Sequence, residues 1–192
     1  MLAEEITYHP VTPDRWVDLE TLFGDGGSCA GCWCMWWRIK RAEFDRQGNE
    51  GNRAALKALV DAGQIPGLLA YAAGEPVGWV SVGPREDYPV LGRSHVLKPV
   101  DDQPAWSIVC FFVAKPYRRQ GLMKRLIRAA VDYARQNGAT IVEGYPVTPR
   151  EKKVEDAEAF TGLIATFEEA GFVEAARRSE RRAIMRYNIG QE

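Results

Sequence analysis

The chain has 192 residues and a formal net charge of −1, with 46% hydrophobic and 27% charged residues. This length suits one domain with a sizeable core, and the near-neutral charge provides no bulk attraction for nucleic acid or an anionic membrane. No apolar stretch has the length of a membrane span, and the first residues lack the form of a signal peptide. We therefore expect a single domain over residues 1–192 in the cytoplasm.

Hydrophobic periodicity predicts an alternation of strands and helices. Apolar runs bounded by turn residues predict strands, and apolar residues at helical spacing predict helices. The predicted strands span residues 6–9, 68–73, 77–82, 106–113, 140–147, 172–176 and 183–187, and the predicted helices span 12–23, 54–62, 120–136 and 159–170. Segment 84–104 is polar and irregular. The alternation indicates a mixed α/β sheet rather than a regular doubly wound one.

The most informative segment follows the apolar run 106–113. Lys115-Pro116 closes the predicted strand, a basic turn with one glycine follows, and a helix then begins. The start of a helix carries unpaired backbone N–H groups and the positive end of the helix dipole. Basic residues are unfavourable there without an anion. Arg118, Arg119 and Lys124 therefore predict a phosphate or pyrophosphate site.

The segment Arg118-x-x-Gly121-x-Met123 resembles the pyrophosphate loop of the GNAT superfamily of N-acetyltransferases. The family pattern is Arg or Gln, two residues, Gly, one residue, then Gly or Ala, so Met123 stands where the family has a small residue. The resemblance covers most of the chain in order, up to Gly171-Phe172 before a closing hairpin. It implies a central, mostly antiparallel sheet of six to seven strands, splayed between the fourth and fifth strands and flanked by about four helices.

The resemblance also implies acetyl-CoA as the acyl donor, with no metal expected. Backbone groups of the fourth strand would pair with the pantetheine arm and polarise the thioester. The implied cofactor-binding residues are Phe111, Phe112, Val113, Arg118, Arg119, Gln120, Gly121, Leu122, Met123 and Lys124. The sequence contains neither Gly-x4-Gly-Lys-Ser/Thr nor Gly-x-Gly-x-x-Gly, so nucleoside triphosphate and dinucleotide loops are not supported.

The residues for proton transfer are harder to identify. Many family members keep a tyrosine acid just before the Gly-Phe pair, where this chain has Phe167, and some keep a glutamate base at the position of Ser107. Glu143 and Tyr145 lie on one face of the next predicted strand, because side chains alternate along a strand. We predict them as base and acid. The alternative is a glutamate paired with an arginine and a tyrosine packed at a strand end.

Segment 29–37 combines three cysteines with three tryptophans. They are Cys29, Cys32, Cys34, Trp33, Trp36 and Trp37. The resemblance places this region at the acceptor site, so the tryptophans predict an apolar or cation-binding wall, with a core patch under a loop as the alternative. The Cys-x2-Cys-x-Cys spacing suits metal ligands but lacks a fourth partner nearby, and we expect free thiols. Cys110 is expected to be a core residue.

Together these features predict an acyl-CoA-dependent N-acetyltransferase that acts on a primary amine of a small molecule or a peptide, by direct transfer in a ternary complex. A non-catalytic acyl-CoA-binding regulator on the same fold is the first alternative, and Phe167 favours it. A metal or redox module built on the cysteines is the second. The exposed closing strands are compatible with a homodimer. We expect neither nucleic acid nor membrane as a partner.

Overall fold

A single mixed sheet organises the chain in the computed structural model, which describes residues 5–28, 31–148 and 159–190. The strands are β1 (Ile6–Pro10), β2 (Gly67–Ala72), β3 (Glu75–Pro84), β4 (Trp106–Val113), β5 (Ile141–Gly144), β6 (Val173–Ser179) and β7 (Arg182–Asn188). Their order is β1-β2-β3-β4-β5-β7-β6. All neighbours are antiparallel except β4 and β5, which run parallel. The predicted seven-stranded mixed sheet is confirmed.

Five helices cover the sheet. They are α1 (Trp16–Phe23), α2 (Arg41–Asp61), α3 (Pro89–Arg93), α4 (Leu122–Gln136) and α5 (Ile164–Glu169). One core cluster contains residues of α1, α2 and segment 31–37, and we call this side of the sheet the aromatic face. The other cluster contains residues of α4 and α5, and we call this side the α4 face. Helix α4 follows the predicted periodicity closely, since its buried residues repeat at helical spacing.

The central strand β4 contains a β-bulge. Cys110 pairs with Ser81 and Ile108 pairs with Val82, which leaves Val109 as an extra residue in β4. Val109 and Cys110 consequently both belong to the core of the aromatic face, while Ile108 belongs to the core of the α4 face. The indole of Trp37 donates a hydrogen bond to the Val109 carbonyl at 3.0 Å, so the bulge is capped from segment 31–37.

Strands β4 and β5 separate partway along their length. Their parallel pairing starts at Trp106 and Val142 and ends at Ile108 and Gly144, although β4 continues to Val113. Among the described residues, no backbone hydrogen bond joins 109–113 to any strand except β3. This is the splay expected between the fourth and fifth strands.

Three helical regions differ from the sequence prediction. The helix predicted over 159–170 is a 3-10 turn at Ala159–Thr161 followed by α5. Helix α2 begins at Arg41, before the predicted start at residue 54, and contains a kink at Gly48 (φ 61°). Segment 41–53 carries few apolar residues, so its periodicity is weak. The segment predicted as irregular contains α3. None of the described helices is both long and apolar enough to cross a bilayer.

Candidate active site

The turn before α4 is built from left-handed residues. Arg119 has φ 60° and Gly121, the N-cap of α4, has φ 81°. No side chain caps this helix and its first turn contains no acidic residue, so its first N–H groups are left for an anion. A Cβ added to Gly121 would meet no described atom within 4 Å. Glycine is favoured here by backbone conformation, and the space above it is open.

The polar side chains of the turn mostly bond back to its backbone. The Arg118 guanidinium donates to the Val113 carbonyl at 2.9 Å, and the Gln120 amide donates to the Pro116 carbonyl at 2.6 Å. These bonds fix the turn against the end of β4. Arg119 is exposed, so its side chain is presented to solvent beside Gly121.

The first residues of α4 point in two directions. Leu122 is buried and Met123 packs against the core of the α4 face. Met123 is half-buried, so part of its side chain packs into the protein at a position where the family has a small residue. Lys124 forms an ion pair with Glu169 of α5 at 2.9 Å. Lys124, like Arg118, thus has a protein partner.

Phe167 occupies the space beside the splay. An added Cβ on Gly144 would lie 2.1 Å from the Phe167 ring, and one on Gly162 would lie 2.7 Å from it. The ring also meets Phe111 of β4 edge to face, with centroids 6.1 Å apart. The residue at the family's usual tyrosine position therefore lies next to the splay but carries no hydroxyl.

Glu143 lies in a buried ion-pair network. Its carboxylate is 1% exposed and accepts hydrogen bonds from Arg85 at 2.9 Å and from Arg186 at 2.7 Å. Arg186 also pairs with Asp101 at 2.6 Å, and these hydrogen bonds lower the pKa of Asp101. The network joins β5 and β7 to the segment between β3 and β4.

Tyr145 completes this network at the start of the splay. It is fully buried, and its hydroxyl donates to Glu143 Oε2 at 2.9 Å and also bonds Arg85. Because its single proton goes to Glu143, Ser107 donates to it across 2.8 Å. Burial and the neighbouring Glu143 carboxylate raise the pKa of Tyr145 well above its ordinary value. The two residues predicted as base and acid are in direct contact.

The three predicted acceptor-wall tryptophans have different environments. Trp33 and Trp37 are buried in the core of the aromatic face. Trp36 is only partly buried. Its ring lies under the Arg41 guanidinium, 4.4 Å from the centroid, and meets Phe44 edge to face at 5.2 Å. Only Trp36 therefore presents an aromatic surface beside an exposed cationic group.

The cysteines converge from two parts of the chain. The Sγ atoms of Cys32, Cys34 and Cys110 all lie within 4.8 Å of one another and are buried, whereas Cys29 lies outside the described residues. Burial raises the pKa of Cys34 well above its ordinary value. Hydrogen bonding with Cys32 and Cys34, and then burial, does the same for the pKa of Cys110. Cys34 and Cys110 are consequently neutral thiols at pH 7 unless a metal ion replaces the proton.

Several residues of these clusters were not identified from the sequence. Arg85 and Arg186 lie far from Glu143 in the chain, and no local pattern links them. Cys110 was expected to be a core residue, which its burial confirms, but its two sulphur neighbours were not foreseen. Segment 177–186 is rich in arginine, but this composition does not indicate that Arg186 pairs with Glu143.

Comparison with known proteins agrees with this architecture. Residues 31–152 match the acetyltransferase (GNAT) family. This region includes the bulge of β4, the splay and the turn before α4. No curated protein matches the chain.

Solved structures share the fold at low sequence identity. An acetyltransferase of the GNAT family from Listeria monocytogenes has 11% identity and a TM-score of 0.61, covering 98% of this chain and 97% of its own. A PaiA N-acetyltransferase from Thermoplasma acidophilum, solved with coenzyme A, has 11% identity and a TM-score of 0.53, covering 96% and 99%. An aminoglycoside acetyltransferase, also solved with coenzyme A, has 18% identity and a TM-score of 0.55, covering 96% and 95%.

Proposed function

Because this chain belongs to the acetyltransferase (GNAT) family, we propose that it transfers an acetyl group from acetyl-CoA to a primary amine of a small molecule or a peptide. The observation that carries this proposal is the splay. Segment 109–113 of β4 lacks a backbone partner on the β5 side among the described residues, directly before the uncapped start of α4. An extended pantetheine arm can add to such an edge as a further strand.

The diphosphate of the coenzyme is proposed to lie on the turn before α4. The N–H groups of the first turn and the dipole of α4 favour an anion there, and the open space above Gly121 admits one. Arg119 supplies an exposed positive charge, while Lys124 reaches the site only by leaving Glu169. The full proposed set is Phe111, Phe112, Val113, Arg118, Arg119, Gln120, Gly121, Leu122, Met123 and Lys124.

The proposed chemistry is direct transfer with both substrates bound. The amine nitrogen forms a bond to the acetyl carbon, the C–S bond breaks, and the proton lost by the amine is balanced by one gained at the coenzyme sulphur. Backbone N–H groups of β4 near Phe111 and Val113 donate to the thioester oxygen as its negative charge builds. Most of the rate enhancement then comes from positioning and from this polarisation.

Glu143 and Tyr145 are the proposed proton-transfer pair. Tyr145 accepts the amine proton while it passes its own proton to Glu143, and the reverse path delivers a proton to the leaving sulphur. The raised pKa of Tyr145 keeps it protonated at neutral pH, as a donor must be. Glu143 already accepts hydrogen bonds from Arg85 and Arg186, which makes this step the one that variants must test.

Trp36 is the proposed contact for the acceptor. Its ring already holds a guanidinium at cation–π distance, so an ammonium group of an acceptor can replace Arg41 there. Trp33 and Trp37 would support this wall from below, because both are packed in the core. One structural neighbour acetylates aminoglycosides, by its name, and polycationic amines are therefore the first acceptors to try.

Three further properties remain proposals. We propose that residues 1–192 act as a single domain, that the enzyme works in the cytoplasm, and that it forms a homodimer through the closing strands. Strand β6 lies at the edge of the sheet and exposes Val173. Its edge is therefore available to a second copy.

The direct test measures release of free coenzyme A from acetyl-CoA with a panel of amines. The panel contains polyamines, aminoglycosides and peptides with a free N-terminus. We expect turnover above the amine-free background with at least one class. Binding of acetyl-CoA without turnover across the panel would favour the non-catalytic regulator instead. Absence of both binding and turnover would overturn the proposal.

Tyr145→Phe tests the proton path within that assay. General acid–base catalysis typically contributes about 100-fold or more, so kcat should fall by about this factor while KM for acetyl-CoA is unchanged. Tyr88→Phe is the matched control, since Tyr88 is also fully buried and its hydroxyl also contacts an arginine and a serine. Equal losses in the two variants would mean that Tyr145 acts only through stability.

A further inference from the structure

The thiol cluster, Cys32, Cys34 and Cys110, brings together two separate parts of the chain. Cys32 and Cys34 lie in the segment between α1 and α2, and Cys110 lies in β4. All three side chains are buried, and their sulphur atoms lie within 4.8 Å of one another. Any three points this close fit around a centre that is about 2.8 Å or less from each, against about 2.3 Å for a zinc–thiolate bond.

Unusual backbone conformations place the three sulphur atoms close together. Trp33 and Cys34 have φ of 31° and 53°, a left-handed conformation that is strained for residues other than glycine. On the opposite side, the bulge at Val109 turns Cys110 toward the aromatic face. Regular alternation in β4 would have placed Cys110 on the α4 face. Two independent departures from regular backbone therefore produce one cluster.

Polar groups lie beside two of the sulphurs. The Trp79 indole donates to Cys34 Sγ at 2.9 Å, and the Ser28 hydroxyl lies 2.8 Å from Cys32 Sγ. An N–H directed at sulphur stabilises a thiolate, and such outer contacts are typical around metal-bound cysteine. Ser28 also offers an oxygen as a further ligand. The surrounding tryptophans exclude water from the cluster.

We propose that Cys32, Cys34 and Cys110 bind one thiophilic closed-shell cation, Zn(II) or Cu(I), in a structural site. Thiolate sulphur selects these ions among common metals, and coordination geometry and supply, rather than raw affinity, distinguish between them. Each thiol that becomes a ligand releases its proton to solvent, so binding of the cation is balanced by loss of up to three protons. This ion takes no part in acyl transfer, for which acetyl-CoA remains the expected cofactor.

The consequence of this site is mechanical. The cation joins the segment between α1 and α2 to β4, next to the Trp37 hydrogen bond that caps the bulge. Residues 111–113, which follow directly, are the proposed pantetheine edge. Metal binding should thus stabilise the fold and reduce the mobility of β4 where the thioester is proposed to lie. The ion would supply no reacting group.

The test is a metal titration of the full chain after reduction and removal of metals by a chelator. Zn(II) and, in a separate anaerobic arm, Cu(I) are added, and native mass spectrometry and calorimetry report stoichiometry and affinity. We expect one equivalent of one of these ions, proton release on binding, and a higher melting temperature. The proposal would be overturned if the wild-type protein bound neither ion more than a control titration without protein does.

Single variants assign the ligands. Cys34→Ser and Cys110→Ser should each weaken binding by at least about 100-fold and remove the metal-dependent rise in melting temperature. Cys29→Ser is the matched control, because Cys29 is the one cysteine that the proposed ligand set does not include, and this variant should keep one-equivalent binding. Loss of binding in Cys29→Ser, or retention in both cluster variants, would overturn the three-residue site. Circular dichroism confirms that each variant compared is folded.

Discussion

The two faces of the sheet are built on different physical principles. The core of the α4 face is apolar throughout and follows the helical repeat of α4. The aromatic face instead contains the thiol cluster and several tryptophans, and the Glu143 network with Tyr145 lies beside them. Apolar packing dominates the core of one face, whereas the other also depends on directed contacts between groups distant in sequence. Such contacts add specificity and make the face sensitive to single atoms.

This difference suits a division of labour. The α4 face presents the helix start that is proposed to bind the diphosphate, a backbone device that any acyl-CoA enzyme can share. The aromatic face presents Trp36 and the proposed proton-transfer pair, where the acceptor is also proposed to bind. Substitutions should therefore affect the two faces differently, and three experiments test this difference.

The largest expected effect is on stability at the aromatic face. Glu143→Gln removes the buried charge shared by Arg85 and Arg186, and breaking a buried ion pair costs about 3–5 kcal/mol. Urea denaturation should show a loss of this order in the free energy of unfolding. Asp61→Asn is the control, since its pair with Lys57 is about half exposed and should contribute under about 1 kcal/mol. Similar losses in the two variants would show that the buried Glu143 network stabilises the fold no more than an exposed ion pair does.

The next effect concerns the cofactor at the α4 face. Gly121→Trp should weaken coenzyme A binding at least 100-fold, about 2.7 kcal/mol, because the indole would fill the open space at the turn. Gly138→Trp is a close control at the other end of α4. The two glycines have φ of 81° and 82°, and a Cβ on either meets no described atom within 4 Å. Both variants should lose similar stability, but only Gly121→Trp should lose affinity by calorimetry. Unchanged affinity of Gly121→Trp for coenzyme A would contradict a diphosphate site at this turn.

The smallest effect is a pH dependence at the aromatic face. Burial raises the pKa of Tyr88 from 10.0 to about 12. Because the folded pKa is the higher one, its contribution to stability is fully present below pH 10 and is lost as pH rises through about 12. A pKa difference of about two corresponds to at most about 2.7 kcal/mol. The free energies of unfolding of the wild type and Tyr88→Phe, measured by urea denaturation, should therefore differ least at alkaline pH. A difference that stays constant across pH would contradict this.

Local patterns predicted the parts that depend on neighbouring residues. Helix α4 and strand β4 lie close to the predicted bounds, because their apolar spacing is strong. Gly121 was identified because a basic turn before a helix has a local physical meaning. By contrast, the partners of Glu143 come from distant segments, and the bulge at Val109 reverses the side on which Cys110 lies. Neither feature leaves a periodic trace in the sequence.

The bulge in β4 also sets where the chain can change in length. Loops absorb insertions and deletions readily, since their ends stay in place. Loss of the single extra residue at Val109 would instead remove the bulge and restore regular alternation, while residues 110–113 would keep their pairing with β3. The carbonyl that accepts the Trp37 hydrogen bond would be lost with it. Relatives that keep this hydrogen bond should accordingly vary in loop length while preserving the residue count between Ser107 and Val113.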